Sequence, residues 1–302
     1  MSTPTKQQEY IERAVKHARK PFVKLLGKPN IKADGRIVYN SKPLTPEETY
    51  LGHFGAEDII FQSRLSYSAF IHYFRYTHAV KLVTRQKQNV LDLGGGVGSI
   101  GRMLYQALKK PNYAMIDLDN RTLTKAIKRG YGFCPTLFIQ RDLTRKLPFR
   151  DESFDFVFAY EILEHMTEKN GRKFIEEIHR VLKHGGRASI STPNNYLGEN
   201  PSDKAKKFRR YKKHAEITKG GMLDHHPYEW HWEDLFNLLG GTGFEINSFF
   251  GLGCPKFKDI EKIGSDHMNT LAHFLPSDIA RALCYVRKPQ IAENVLFDCT
   301  KV

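Results

Sequence analysis

Residues 89–101 read Asn-Val-Leu-Asp-Leu-Gly-Gly-Gly-Val-Gly-Ser-Ile-Gly, and no other stretch limits the fold as strongly. Val90–Leu93 is a short apolar run of the kind that forms a buried strand. It breaks into a glycine cluster and restarts as a helix through Ile100, Met103 and Leu104. A strand, a glycine turn and a helix in that order bring bare backbone close to a ligand and aim a helix N-terminus at it. Two spacings overlap here. Gly96, Gly98 and Gly101 fit G-x-G-x-x-G, the dinucleotide fingerprint. Asp92, Gly94, Gly96 and Gly98 form a second pattern, and the glycines alone do not choose between them.

The elements that follow alternate. Strands are expected at Tyr113–Asp117, Thr136–Ile139, Phe154–Ala159 and Ala188–Thr192, with helices at about 98–109, 121–129 and 171–182 between them. Alternation of this kind implies a parallel sheet with helices on both faces. A helix at 232–239, a strand at Phe244–Phe250 and a seventh strand at Ala282–Arg287 complete it, and Pro289 leaves a short tail. The expected fold class is therefore α/β, Rossmann-like.

Two regions stand outside the alternation. Residues 1–64 read as an N-terminal helical extension before a main domain over 65–302. Tyr10, Ile11, Val15, Phe22 and Leu25 lie among basic residues, and Thr45-Pro46-Glu47-Glu48 is a helix start. The extension is either a basic arm that touches substrate or a cap on the core. A helix at about 57–84 follows, whose Tyr67, Tyr73 and Arg75 are candidate pocket residues. Residues 193–230 form a basic insertion or lid with seven lysines and arginines between Lys204 and Lys213. With a net charge of +14, the 201–219 segment offers a place for nucleic-acid phosphates or another anion; a solubilising surface reads equally well from charge alone. No apolar run reaches the roughly 18 residues of a membrane span. Met1–Gln8 lacks a signal-peptide core. Cys134, Cys254, Cys284 and Cys299 form no C-x-x-C pair. These features favour a cytoplasmic protein with reduced thiols and no metal-site spacing among its cysteines.

Ligands of open parallel sheets lie beyond the carboxyl ends of the strands. Acids stand there in succession: Asp92, Asp117, Asp142, and Glu161 with Glu164 and His165. A carboxylate after the second strand suits a ribose diol. Asp92 at the first strand end would repel a pyrophosphate and favour a cationic amine, such as the α-ammonium of S-adenosylmethionine (SAM). The SAM carboxylate is then expected on the glycine-loop amides, and Asp142 on the adenine amine. Each acid taken singly also reads as a cap or turn residue.

The ordered motifs resemble those of class I SAM-dependent methyltransferases. They are Val-Leu-Asp-Leu-Gly-Gly-Gly-Val-Gly (90–98), Ile-Asp-Leu-Asp (116–119), Arg-Asp-Leu (141–143), Leu-Pro-Phe-Arg-Asp-Glu-Ser-Phe-Asp-Phe-Val (147–157), Glu-Ile-Leu-Glu-His (161–165), Val-Leu-Lys-His-Gly-Gly (181–186), Ser-Thr-Pro-Asn (191–194) and Gly-Gly-Thr-Gly-Phe (240–244). The subgroup resembled includes ubiquinone- and menaquinone-biosynthesis enzymes and small-molecule methyltransferases. The resemblance covers about 65–288. It implies a seven-stranded mixed sheet with the last strand antiparallel. It also implies SAM contacts from Asp92, Gly94, Gly96, Asp117, Leu118, Asp142 and Leu143, with Glu161 near the methyl donor. Gly95 stands where the family often has cysteine or another small residue, a departure expected to be tolerated.

The acceptor is expected to be a small molecule or glycan-like compound methylated on oxygen, with nitrogen as the lesser choice. A hydroxyl acceptor needs a base. His225 or His226, oriented by Asp224 or Glu229, is the preferred candidate; His165 is a second, or else a residue that shapes its loop. No Pro-Pro-Tyr turn or Pro-Cys follows the fourth strand, which disfavours DNA amino- and C5-methylation. RNA methylation, a non-catalytic SAM-binding regulatory module and an NAD-dependent oxidoreductase are the competing readings.

Overall fold

The computed structural model describes residues 30–31, 37–38, 67–84, 88–107, 109, 111–129, 136–195, 226–252, 285–286, 292 and 294–302. In chain order the elements are β1 (Asn30–Ile31), β2 (Ile37–Val38), α1 (Tyr67–Leu82), β3 (Asn89–Leu93), α2 (Ser99–Gln106), β4 (Asn112–Asp117), α3 (Asn120–Arg129) and β5 (Thr136–Gln140). Then come β6 (Phe154–Tyr160), a 3-10 turn at Leu163–His165, α4 (Glu168–Val181), β7 (Leu182–Pro193), α5 (Trp232–Thr242), β8 (Phe244–Leu252), β9 (Tyr285–Val286) and β10 (Asn294–Lys301).

All strands join one sheet in the order β1-β2-β5-β4-β3-β6-β7-β10-β8-β9. β5, β4, β3, β6 and β7 are mutually parallel, and β10 runs antiparallel to both β7 and β8. The long strands form the expected mixed sheet, with two-residue strands added at its edges. The chain builds outward from β3 to β5, then returns to β6 on the other side of β3. That reversal creates a crevice beyond the ends of β3 and β6.

Strand alternation sorts the core into two layers. Leu91 and Leu93 face Phe174, Ile175 and Ile178 of α4 and Leu235 and Leu239 of α5. Val90 faces the other layer, with Ile71 and Ala79 of α1, Ile100 and Leu104 of α2, and Leu123 of α3. Helices therefore cover both faces, as parallel strands buried on both sides require.

The last strand departs from expectation. It is β10, in the stretch expected to be a tail; the described residues of 282–287 form the edge strand β9. Val295, Leu296, Phe297 and Cys299 are all fully buried in β10. Asp298, buried between them, pairs with Arg187 of β7. An unpaired charge would not be tolerated at that depth. In the extension, β1 and β2 pair antiparallel and β2 adds parallel to β5. The helix readings before Tyr67, the body of the 193–230 insertion and Cys134, Cys254 and Cys284 lie outside the described residues. Among the described residues, no helix is long and apolar enough to cross a membrane.

Candidate active site

The crevice has two walls. One is the loop after β3. Gly94, Gly96 and Gly98 have φ of +69°, +53° and +79°, a left-handed path that side chains oppose. The amides of Gly94 and Gly95 donate to Ile116 O at 2.8 and 3.2 Å, and Gly98 N donates to Gly95 O at 2.8 Å. Gly96 N donates to Asp117 Oδ2 at 2.8 Å. These amides are engaged within the protein, so the expectation that they receive a ligand carboxylate does not hold for them. What the glycines supply is close approach. At Gly95 a Cβ would stand 2.5 Å from Met115 Cγ.

Asp117 ties the loop to β4. Its Oδ1 accepts from Asp119 N at 2.8 Å, while Oδ2 holds Gly96. Each carboxylate oxygen keeps a further lone pair. Burial pushes the Asp117 carboxyl up to about 6, with the Asp119 charge adding to it; the Asp119 and Gly96 amides and the Thr122 hydroxyl oppose the rise. Asp119 instead accepts from Arg121 N at 2.8 Å at the start of α3. Asp92 lies buried beneath the loop, where the Tyr113 hydroxyl donates to it. Asp142 accepts from Thr144 N and Oγ1 at 2.8 and 2.7 Å, the turn geometry of an Asx residue. Leu143 is buried and Leu118 half-buried.

The other wall begins at Glu161, a non-glycine residue held at φ +56° where β6 ends. Such left-handed strain concentrates at functional sites and persists only where neighbours enforce it. Here Ser191 Oγ donates to Glu161 Oε1 at 3.0 Å, and the buried Arg75 guanidinium lies 3.0 Å from the same oxygen. Glu161 N also donates to Ser191 O at 2.9 Å. Ile162 then packs over Gly94, so the two walls touch.

Next in the chain, Glu164 is buried with Oε2 accepting from Thr192 Oγ1 at 2.9 Å. Burial first, and then the Glu161 charge, push its carboxyl up; His226 pulls it down. His165 is exposed at the rim, and its ring meets that of His226 edge-on with centroids 5.1 Å apart. His226 Nδ1 lies 3.1 Å from Glu229 Oε1. The 226–232 segment is anchored rather than loose. Asn195 N donates to Trp230 O at 2.9 Å, Trp232 N donates to Asn194 Oδ1 at 3.2 Å, and Trp230 is fully buried under Tyr228 and Arg172.

The structure thus brings Asp92, Gly94, Gly96, Asp117 and Glu161 to one crevice, and His165 to the same rim as His226. His225, Asp224 and the side chains of Tyr67 and Tyr73 lie outside the described residues. Tyr113, Ser191 and Thr192 carry contacts that sequence reasoning gave no role. Ser191 and Thr192 stand at the end of a strand and could have been read as such; nothing in the sequence marks Tyr113.

A methyltransferase-domain family profile matches residues 90–186. Among curated proteins, the ubiquinone/menaquinone biosynthesis C-methyltransferase UbiE of Bartonella bacilliformis is 33% identical over 104 residues, covering 32% of this chain and 38% of that protein. The chain thus spans about two fifths of the curated relatives it matches. Among solved structures, the methyltransferase in complex with the Haloferax volcanii Trm112 methyltransferase activator aligns with a TM-score of 0.55 at 17% identity, covering 85% of this chain and 99% of that one. Haemonchus contortus phosphoethanolamine N-methyltransferase 2 with S-adenosyl-L-methionine aligns at 0.52 and 18% identity, covering 81% and 59%. The matched family and the strand order give residues 90–186 a methyltransferase domain, similar to that of the class I SAM-dependent methyltransferases.

Proposed function

We propose that the protein transfers a methyl group from SAM to an oxygen of a small-molecule or glycan-like acceptor. The residues of the β3 wall fit the donor. Gly94 and Gly96 allow the close approach a side chain would block. Asp117 has lone pairs left for a ribose diol, and Asp142 and Leu143, just past β5, are assigned to the adenine edge. Asp92 places negative charge under the loop, which favours an ammonium over a pyrophosphate. When bound, SAM supplies a methyl carbon on a cationic sulfonium, and transfer leaves a neutral thioether.

The observation that carries the choice of oxygen is the convergence of Glu164, His165 and His226 across the crevice, with donor atoms within 4.8 Å of one another. A hydroxyl must be relieved of its proton near neutral pH, and imidazoles and carboxylates are the side chains suited to that. Arg75 and Ser191 hold Glu161 in its strained position at the meeting of the two walls. The anchored 226–232 segment keeps His226 in place.

The test is product formation from isotopically labelled SAM with hydroxyl acceptors, amines and RNA. Label is expected in the hydroxyl class. His226→Ala is expected to lower kcat by about 100-fold or more, while affinity for S-adenosylhomocysteine stays within about threefold. Label confined to amines or to RNA would overturn the oxygen reading. Binding of NAD without S-adenosylhomocysteine would overturn the donor assignment.

A further inference from the structure

The acceptor wall is organised more closely than a lone general base requires. Glu164, His165 and His226 each offer one donor atom, all within 4.8 Å of one another. Two of the three are aimed by a second hydrogen bond. Thr192 Oγ1 donates to Glu164 Oε2 at 2.9 Å, which fixes the carboxylate and leaves Oε1 for another partner. His226 Nδ1 faces Glu229 Oε1 at 3.1 Å. A carboxylate can only accept, so the ring proton belongs on Nδ1 and the lone pair on Nε2. Carboxylate–histidine pairs of this kind orient metal ligands. The His165 and His226 rings meet at 76°, an angle at which two imidazole lone pairs can converge on one point.

We propose that Glu164, His165 and His226 form a binding site for a divalent transition-metal ion on the acceptor side of the crevice. Two imidazole nitrogens and one carboxylate oxygen select ions such as zinc, manganese or cobalt over magnesium and calcium, which prefer all-oxygen sets. His165 at the exposed rim gives the ion a way in. Three protein donors leave coordination positions open. An acceptor oxygen in one of them is oriented toward the donor wall, and its hydroxyl proton passes to water more readily. This role rests on the proposed reading of the wall as the acceptor side; the metal site itself does not.

The experiment uses the full chain stripped of metal. Zinc is titrated against a chromophoric chelator, cobalt absorption is recorded in the visible range, and S-adenosylhomocysteine binding is measured by calorimetry on the same samples. About one ion per chain is expected, with affinity reduced at least about 10-fold in His165→Ala and in Glu164→Gln and the cobalt bands altered in both. His165 is exposed, so His165→Ala keeps the fold, which thermal melting checks. Failure of the wild-type chain to bind zinc or cobalt stoichiometrically overturns the proposal, as does binding that His165→Ala leaves unchanged. Metal binding without S-adenosylhomocysteine binding sustains the ion site and overturns the methyltransferase reading instead.

Discussion

The wall after β3 is held by backbone, whereas the wall after β6 is held by side chains. On the first, glycine amides bond to Ile116 O and to Asp117, and the path depends on residues lacking a Cβ. On the second, Glu161, Glu164 and His226 are set by Ser191, Thr192, Arg75 and Glu229, which come from three separate stretches of chain. A backbone-held loop accepts one shared cofactor. A wall of side chains can change its acceptor by substitution without disturbing the donor. The two walls should therefore respond differently to perturbation.

The largest effect is expected beneath the side-chain wall. Phe297 is fully buried in β10, stacked on Phe249 with ring centroids 5.2 Å apart. Phe297→Ala should cost about 3–5 kcal/mol and lower the melting temperature by about 6–10 °C, read by calorimetry. Retention of the wild-type melting temperature would show that β10 is not the interior strand described above.

Next comes the donor loop. Gly94→Val places a Cβ against Ile162 at a left-handed φ. With strain and clash together near 3 kcal/mol, affinity for S-adenosylhomocysteine should fall about 100-fold. Metal affinity at Glu164, His165 and His226 should change far less. Equal losses at both would mean that the walls are one coupled unit.

Those two substitutions also mark what the sequence could tell. The glycine loop was legible because backbone function leaves a compact local signature, Asp92 to Gly98, and Asp117 follows at the next strand end. The β6 motif was legible for Glu161 to His165 for the same reason. His226 and Glu229 could be nominated from their types and spacing, but their partners could not. Thr192 meets Glu164 across 28 residues, and Arg75 reaches Glu161 from α1, before β3 begins. No local pattern encodes such pairings. β10 failed differently. It lies in what was expected to be a tail after Pro289, and the Asp298 charge in the middle of its apolar run finds its partner, Arg187, only on β7.

A smaller effect isolates one contact inside the donor wall. A Cβ at Gly95 would lie 2.5 Å from Met115 Cγ and 2.9 Å from Asp92 Oδ2. Gly95→Ala should destabilise by about 1–3 kcal/mol through overpacking. Met115→Ala in the same chain should recover part of that loss, giving a coupling energy of about 0.5 kcal/mol or more in a double-mutant cycle. Strict additivity would mean that the methionine is not what excludes a side chain there.

The smallest effect is a pH dependence confined to the donor wall. Asp117 titrates at about 6, above its ordinary 3.8, because burial and the Asp119 charge disfavour its ionised form. Between those values the folded chain holds a proton that the unfolded chain has released, so this group's contribution to stability declines as pH rises from about 4 to 6. Ribose hydroxyls donate to the ionised carboxylate, joining the Gly96 and Asp119 amides and the Thr122 hydroxyl that already favour it. Binding should therefore run the opposite way. Affinity for S-adenosylhomocysteine should be full above pH 6 and fall by at most about tenfold per unit below it. Asp117→Asn should weaken binding at neutral pH and flatten this slope, while the same substitution should leave metal affinity at Glu164, His165 and His226 unchanged. A slope that survives in Asp117→Asn would place the titrating group elsewhere and remove Asp117 from the ribose.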